Sequence, residues 1–280
     1  MNHNVNKVIS KSFKKQITDT FNRPILSICE ENPGLAYYYI KYARTEMEYE
    51  GLFAELLCSR LANVLNIQTP NVAFVEIGDH PITNVEYKYP NKIEPGMVAF
   101  GSRRVGNVTE LNQQDVIRNK HDFNRFNRPE DIFKIALFDL WIANADRSEL
   151  NFNILIQKDR PKEIYAFDHF EAFKKSSESQ NSNEKIDVFS GVMGSNYGYN
   201  LISYLSVETV KETARKFLNN IEHLNIANVL GNLLNQIPES WNVPQKSVHF
   251  IHKLLTDRTR VVKISEQADI AINSVSIKKP

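Results

Sequence analysis

The sequence predicts an α+β chain of two lobes, a small antiparallel sheet that carries one helix, followed by a larger and mainly helical lobe. Three observations predict it. Apolar and aromatic runs of strand length, broken by turn chemistry, fill residues 1–100. A single stripe of helical period interrupts them. From Pro129 onward helical patterns take over, separated by prolines. The expected division is 1–100 for the sheet lobe, 101–128 for the connection and 129–280 for the helical lobe.

Each element has a local reason. Residues 24–29 and 36–43 read as strands, joined by EENPG at 30–34, where Asn-Pro-Gly supplies the turn. Residues 48–67 form a helix because Ala54, Leu57, Cys58, Leu61 and Leu65 recur at helical spacing. Thr69-Pro70 closes that region, and NVAFVEI at 71–77 is rich in strand formers. Residues 96–100 make a short apolar strand leading into GSRR. Pro129 suits a first helical position, and Glu130 and Asp131 suit the positive end of a helix. The run 132–142 is apolar almost all round, which predicts a buried helix. Strands at 152–156 and 163–167 flank the turn QKDRP. The stretch KKSSESQNSNEK at 174–185 reads as a polar surface loop. Helices are expected at 207–218, 221–234 and 245–271, with breaks at Pro238 and Pro244.

Bulk properties exclude several classes. A chain of 280 residues with 42% hydrophobic and 24% charged residues can bury a sizeable core. A formal net charge of +1 argues against a nucleic-acid partner, which calls for a basic excess. No apolar run approaches the roughly 18 residues of a spanning helix, and the N-terminus lacks the apolar stretch of a signal peptide. Cys29 and Cys58 are too few for a disulfide framework and lack metal-type spacing. The expectation is a cytoplasmic protein with two reduced thiols and no membrane partner.

The chemistry concentrates in NADRSELNFNILI at 144–156 and YAFDHFEAF at 165–173. Asp146 stands five residues before Asn151, and Asp168 follows seventeen residues later at the end of an apolar run. ATP-dependent phosphoryl transfer needs this set: one carboxylate for the nucleophile, an amide and a second carboxylate for Mg²⁺. Asn153 alternates onto the same face as Asn151 and competes for the amide role. Lys41, in the aromatic strand YYYIKYAR, is the candidate to reach the nucleotide phosphates. Its acidic partner is Glu55, deeper in the helix than the competing Glu46, Glu48 and Glu50. In GMVAFGSRR at 96–104, backbone groups around Ala99 could read the adenine edge, with Met97 and Phe100 against the ring. The segment 27–34 is the candidate phosphate-covering loop, although it has one glycine. No GxxxxGK[ST] loop and no GxSxG elbow occurs. His249 and His252 lack further ligands for a metal, His169 is expected to pack locally, and Trp141 and Trp241 read as core.

These pieces, with FAELLCSRLANVLNIQTPNVAFVEI at 53–77 and IPESW at 237–241, run in family order, and the chain resembles the HipA-like kinases. The resemblance implies a two-lobed protein-kinase-like fold related to the phosphatidylinositol kinases. It implies that Lys41 contacts ATP phosphates, that Asp146 is the catalytic Asp, and that Asn151 and Asp168 bind Mg²⁺. It further implies a serine/threonine-protein kinase, with an antitoxin-like or regulatory protein partner, and makes Ser176, Ser177, Ser179 and Ser182 candidate autophosphorylation sites. Ser148 departs from the family pattern, which often has His two residues after the catalytic Asp. That departure leaves a second reading, a nucleotide-binding pseudo-kinase that works by docking to a protein partner.

Overall fold

A computed structural model describes residues 4–18, 20, 22–83, 85, 92–144, 146–148, 151–173 and 186–277. Five strands, β1 (Asn6–Gln16), β2 (Ile25–Glu30), β3 (Leu35–Lys41), β4 (Val72–Glu76) and β5 (Val98–Arg103), close into a barrel in the order β1-β2-β3-β5-β4. The expected antiparallel sheet is thus corrected to a mixed one, because β1 pairs antiparallel with β2 but parallel with β4. Strand β1 escapes a sequence reading for a physical reason. Register shifts between Ser10 and Ser12, and between Phe13 and Lys15, break its two-residue alternation.

Alternate residues fill the barrel: Val8, Phe13, Ile25, Cys29, Tyr38, Ile40, Ala73, Val75 and Ala99 form one buried cluster. Gly101 belongs to the same inward row, since an added Cβ there would stand 2.3 Å from Val75 Cγ2. The opposite row of β5 faces outward, where Phe100 joins the main core of the molecule.

Between β3 and β4 runs α1 (Glu48–Val64), buried from Gly51 to Ala62 except at Arg60. Glu48 at its start accepts the Arg44 backbone N–H at 2.7 Å and the guanidinium at 2.6 Å. Asn66, at φ +56°, ends the helix in the left-handed conformation of a helix stop.

The remaining chain is mainly helical. After the short α2 (Lys120–Phe123), the buried α3 (Asp131–Trp141) packs against three later helices, α4 (Asn196–Ser203), α5 (Val207–His223) and α8 (Arg258–Ile277), while α6 (Ile226–Leu234) packs on α7 (Gln245–Leu255) and on α1. Pro129 precedes α3 rather than opening it. The helix expected over 245–271 is two, since Asp257 interrupts it and its Oδ1 accepts the Thr259 N–H at 2.9 Å. Helix α4 is too short to show a period; Ser195 caps it through the Gly198 N–H at 3.0 Å. A second sheet of β6 (Val108–Glu110), β7 (Ile154–Gln157) and β8 (Ile164–Ala166) is antiparallel throughout. Strand β6 lies inside the stretch expected only to connect. Three residues carry no alternation to read. The serine-rich segment 174–185 lies outside the described residues.

Trp241 ties the helical part to the barrel. Its ring, 2% exposed, packs on Phe74 at 5.6 Å and Tyr49 at 6.2 Å, and its Nε1 donates to the Val98 carbonyl at 2.9 Å. Trp241→Ala should therefore lower unfolding free energy by about 3–5 kcal/mol in urea titrations, with Trp241→Phe costing less.

The buried thiols give a pH signature. Burial pushes Cys29 from 9.0 up to about 11, against the Ser27 hydroxyl and with help from the Glu31 charge. The unfolded chain loses this proton first, so stability is full below 9 and falls as pH rises toward 11. Wild type should lose about 1.4 kcal/mol per pH unit in that window relative to Cys29→Ala, measured by urea unfolding at each pH.

Candidate active site

Strand β3 delivers Lys41 by its pleat. Tyr38 and Ile40 turn into the barrel, so Tyr39 and Lys41 face the opposite way, into a cleft of about 900 Å³ between barrel and helices. There the Lys41 Nζ contacts Glu55 Oε1 and lies 2.8 Å from Asp168 Oδ1. Only α1 can supply Glu55, and the helix buries it: residue 55 is 4% exposed, and its Oε2 accepts the His169 backbone N–H at 2.9 Å.

Asp168 follows β8 at φ +54°, in the left-handed region. The next turn seats Phe170 over α1, where Gly51 makes the room; a Cβ there would stand 2.5 Å from the ring. The same ring lies 5.9 Å from the Lys41 ammonium. Asp146 comes from the turn that follows α3, in which Ala143 has φ +52°. Its Oδ2 accepts both amides, Asn151 Nδ2 and Asn153 Nδ2, each at 3.0 Å.

Beneath the site lies a side chain the sequence reading missed. The Arg147 guanidinium is fully buried; it donates to the carbonyls of Phe152 at 2.6 Å, Asn153 and Phe167, and pairs with Asp139 at 2.7 Å. Its Nη2 also meets His169 Nε2 at 3.1 Å. The signal for it was the Asp-Arg pair itself, a cation directly after Asp146.

Electrostatics follow from one ammonium between two carboxylates. Burial works against the Lys41 charge, yet Asp168 and Glu55 outweigh it and hold its pKa above the ordinary lysine value. Burial also raises Asp168, but the Lys41 charge and hydrogen bond overcome that and leave it below the carboxylate norm. Glu55 stays above its norm, burial exceeding the pull of Lys41. Burial, then the Arg147 charge, keeps His169 neutral, well below 6.5.

The structure brings Lys41, Glu55, Asp146, Asn151, Asn153, Asp168 and Phe100 to one cleft. It does not bring Met97 and Ala99 there, a correction with a simple cause. Ala99 lies on the inward row of β5 and Met97 packs against the barrel interior, so the strand segment bordering the cleft is Ser102 to Val105. The segment 27–34 is likewise misplaced. Its Glu31 binds Tyr38 and Arg103, each at 2.7 Å, while the β1–β2 turn borders the cleft through Ile17, Thr20, Asn22 and Pro24.

Both amides spend their Nδ2 on Asp146, which leaves their Oδ1 oxygens, with a carboxylate of Asp168, as hard donors suited to Mg²⁺. Among the described residues no cluster of three His, Cys, Asp or Glu forms a metal site. A Mg²⁺ held partly by nucleotide phosphates needs none, so the donor set fits.

A buried ammonium, paired carboxylates and amides meet at a cleft between a barrel and a helical body, the residue types that phosphoryl transfer uses. The chain belongs to the HipA-like kinase family, which it matches over residues 11–264. In three dimensions it is similar to the proinflammatory kinase CtkA of Helicobacter pylori, with a TM-score of 0.54 over 97% of each chain at 12% identity, a likeness of fold. No curated protein matches the chain in sequence. Membership supports a kinase role and implies ATP use in general terms. Among the described residues no helix is long and apolar enough to cross a membrane.

The ion triad gives a stability test. Lys41→Met leaves the buried Glu55 and the partly buried Asp168 without their cation, and should cost about 3 kcal/mol in urea unfolding without nucleotide.

Proposed function

We propose that the protein is an ATP- and Mg²⁺-dependent kinase that transfers the γ-phosphoryl group to a hydroxyl, that of a Ser or Thr in a protein. The β-rich lobe (1–100) and the helical lobe (129–280) are its two lobes, and 101–128 joins them, with its first residues completing barrel strand β5. One observation carries the reading: Lys41–Glu55–Asp168 and Asp146–Asn151–Asn153, from four separate segments, converge on one cleft.

Roles follow from position. Lys41, held protonated, faces where α/β-phosphates would lie and offsets their charge. Glu55 fixes that ammonium. Asp168 with Asn151 or Asn153 would hold Mg²⁺, which, when bound, would neutralise charge on the phosphate oxygens. Asp146 keeps Oδ2 on the two amides and offers Oδ1 to orient the acceptor hydroxyl and take its proton. Phe100, Tyr39 and Leu155 line the cleft as apolar walls for a base, with backbone at 102–105 along its edge.

A second reading has its own observation: the β1–β2 turn, ITDTFNRP, carries no glycine to bring backbone N–H groups close to phosphates. It makes the chain a nucleotide-binding pseudo-kinase docking to a regulatory protein. In both readings ATP at a hundred times its Kd raises stability by about 2.7 kcal/mol. Only the kinase moves label from γ-labelled ATP to protein in a lysate. Asp146→Ala and Asp168→Ala should each cut that transfer at least about a hundredfold while staying folded. Undiminished transfer in both would overturn the assignment, and ATP binding without transfer by wild type would favour the second reading.

A further inference from the structure

We propose that His169 is a positioning residue of this site, setting Asp168 against the Asp146 loop through the bond between its ring and Arg147. The functional meaning rests on the kinase reading; the positioning itself is separable by experiment.

The argument starts from donors and acceptors. Arginine carries only N–H donors, so at 3.1 Å from Arg147 Nη2 the His169 Nε2 is the acceptor. The ring is 2% exposed and stands edge-on to Phe138, with centroids 5.8 Å apart at 82°. Its orientation is therefore fixed by packing on one side and by one hydrogen bond on the other.

What Arg147 touches gives that bond its reach. Its Nη1 holds the carbonyls of Phe152 and Asn153, the segment that carries the amides bonded to Asp146. Its Nη2 reaches the carbonyl of Phe167, the residue before Asp168, at 3.3 Å. The backbone N–H of His169 meanwhile donates to Glu55 Oε2 at 2.9 Å. Three segments are thus joined at residue 169: α1 through the main chain, the Asp146 loop through the ring, and Asp168 through the covalent chain.

Asp168 needs such support. A non-glycine residue at φ +54° persists only where its surroundings hold it, and Asn153, at φ +46°, has the same need. Without the ring acceptor, Arg147 Nη2 would keep only the longer Phe167 bond, and the two oxygen-bearing segments would lose their common anchor. The amides and Asp168 would then drift apart by fractions of an ångström, enough to weaken a shared cation.

The test compares three variants. His169→Phe keeps the ring contact with Phe138 and removes the acceptor. His169→Asn also loses it, because its amide stops short of Arg147, and serves if the Phe variant fails to fold. His169→Gln places an amide oxygen near the Nε2 position and should rescue. The first readout is calorimetric ATP affinity with and without Mg²⁺. Wild type and His169→Gln should bind ATP more tightly with Mg²⁺, and the loss variants should forfeit roughly tenfold of that tightening while binding metal-free ATP as wild type does. The second is phosphate transfer at saturating ATP and Mg²⁺, where the loss variants should drop roughly tenfold or more in kcat, with KM for ATP rising in step with the weakened Mg²⁺-dependent affinity. Equal behaviour of the Phe, Asn and Gln variants, or wild-type Mg²⁺ dependence in the loss variants, overturns the proposal. If wild type transfers no phosphate, the kinase reading falls, while the affinity titration still decides the role of His169.

Discussion

The structure depends on where the ammonium of Lys41 can go. At 8% exposure it has left most of its water, and it stays charged only because Glu55 and Asp168 stand against it. Those anions come from different places: one from the middle of α1, the other from the turn after β8. A buried ion tolerates little displacement from its counter-ions, so one triad sets barrel strand, helix and second sheet in mutual register. The packing agrees with it. Phe170, two residues past Asp168, seats on α1 only because position 51 lacks a side chain. The triad also carries two negative charges against one positive, an imbalance that favours a further cation at the same carboxylates.

How much of this was legible depended on whether the signal was local. Strands β2, β3, β4 and β5 and helices α1 and α3 announced themselves through alternation, turn chemistry and a continuous apolar run, and the structure has them within a few residues. Strand β1 did not, because its bulges interrupt the alternation, and with it went the barrel closure. Lys41 stood out as a charge in an aromatic strand, Glu55 by its depth in the helix, and Asp146, Asn151 and Asp168 by their mutual spacing. Met97 and Ala99 were chosen as part of a connector that would border the base, and the pleat of β5 turns them to the barrel interior. Segment 27–34 was the candidate covering loop on the strength of its turn chemistry and one glycine, and β1 instead brings 17–24 to the cleft.

The partners that join the network under the site were not legible. Arg147 and His169 are 22 residues apart and meet only after two sheets and α1 are in place. Nothing in spacing marks a histidine as an acceptor for a buried guanidinium. Composition marks it even less, since each residue alone reads as packing.

The same network explains how the site keeps its floor without a ligand. A buried guanidinium is costly to desolvate, and Asp139, the carbonyls of Phe152, Asn153 and Phe167, and His169 together supply the partners that make it tenable. Each partner lies on a segment that carries, or is adjacent to, an oxygen needed in the cleft. The geometry of the floor is then a by-product of satisfying Arg147, and it is set when the chain folds. The roof differs. At the β1–β2 turn Asn22 Oδ1 is buried without a hydrogen-bond partner, and Thr20 is exposed. A floor fixed by internal hydrogen bonds beneath a roof with an uncommitted acceptor places the adaptable part of the cleft on the barrel side, where a ligand hydroxyl or amine would supply the donor that Asn22 Oδ1 lacks.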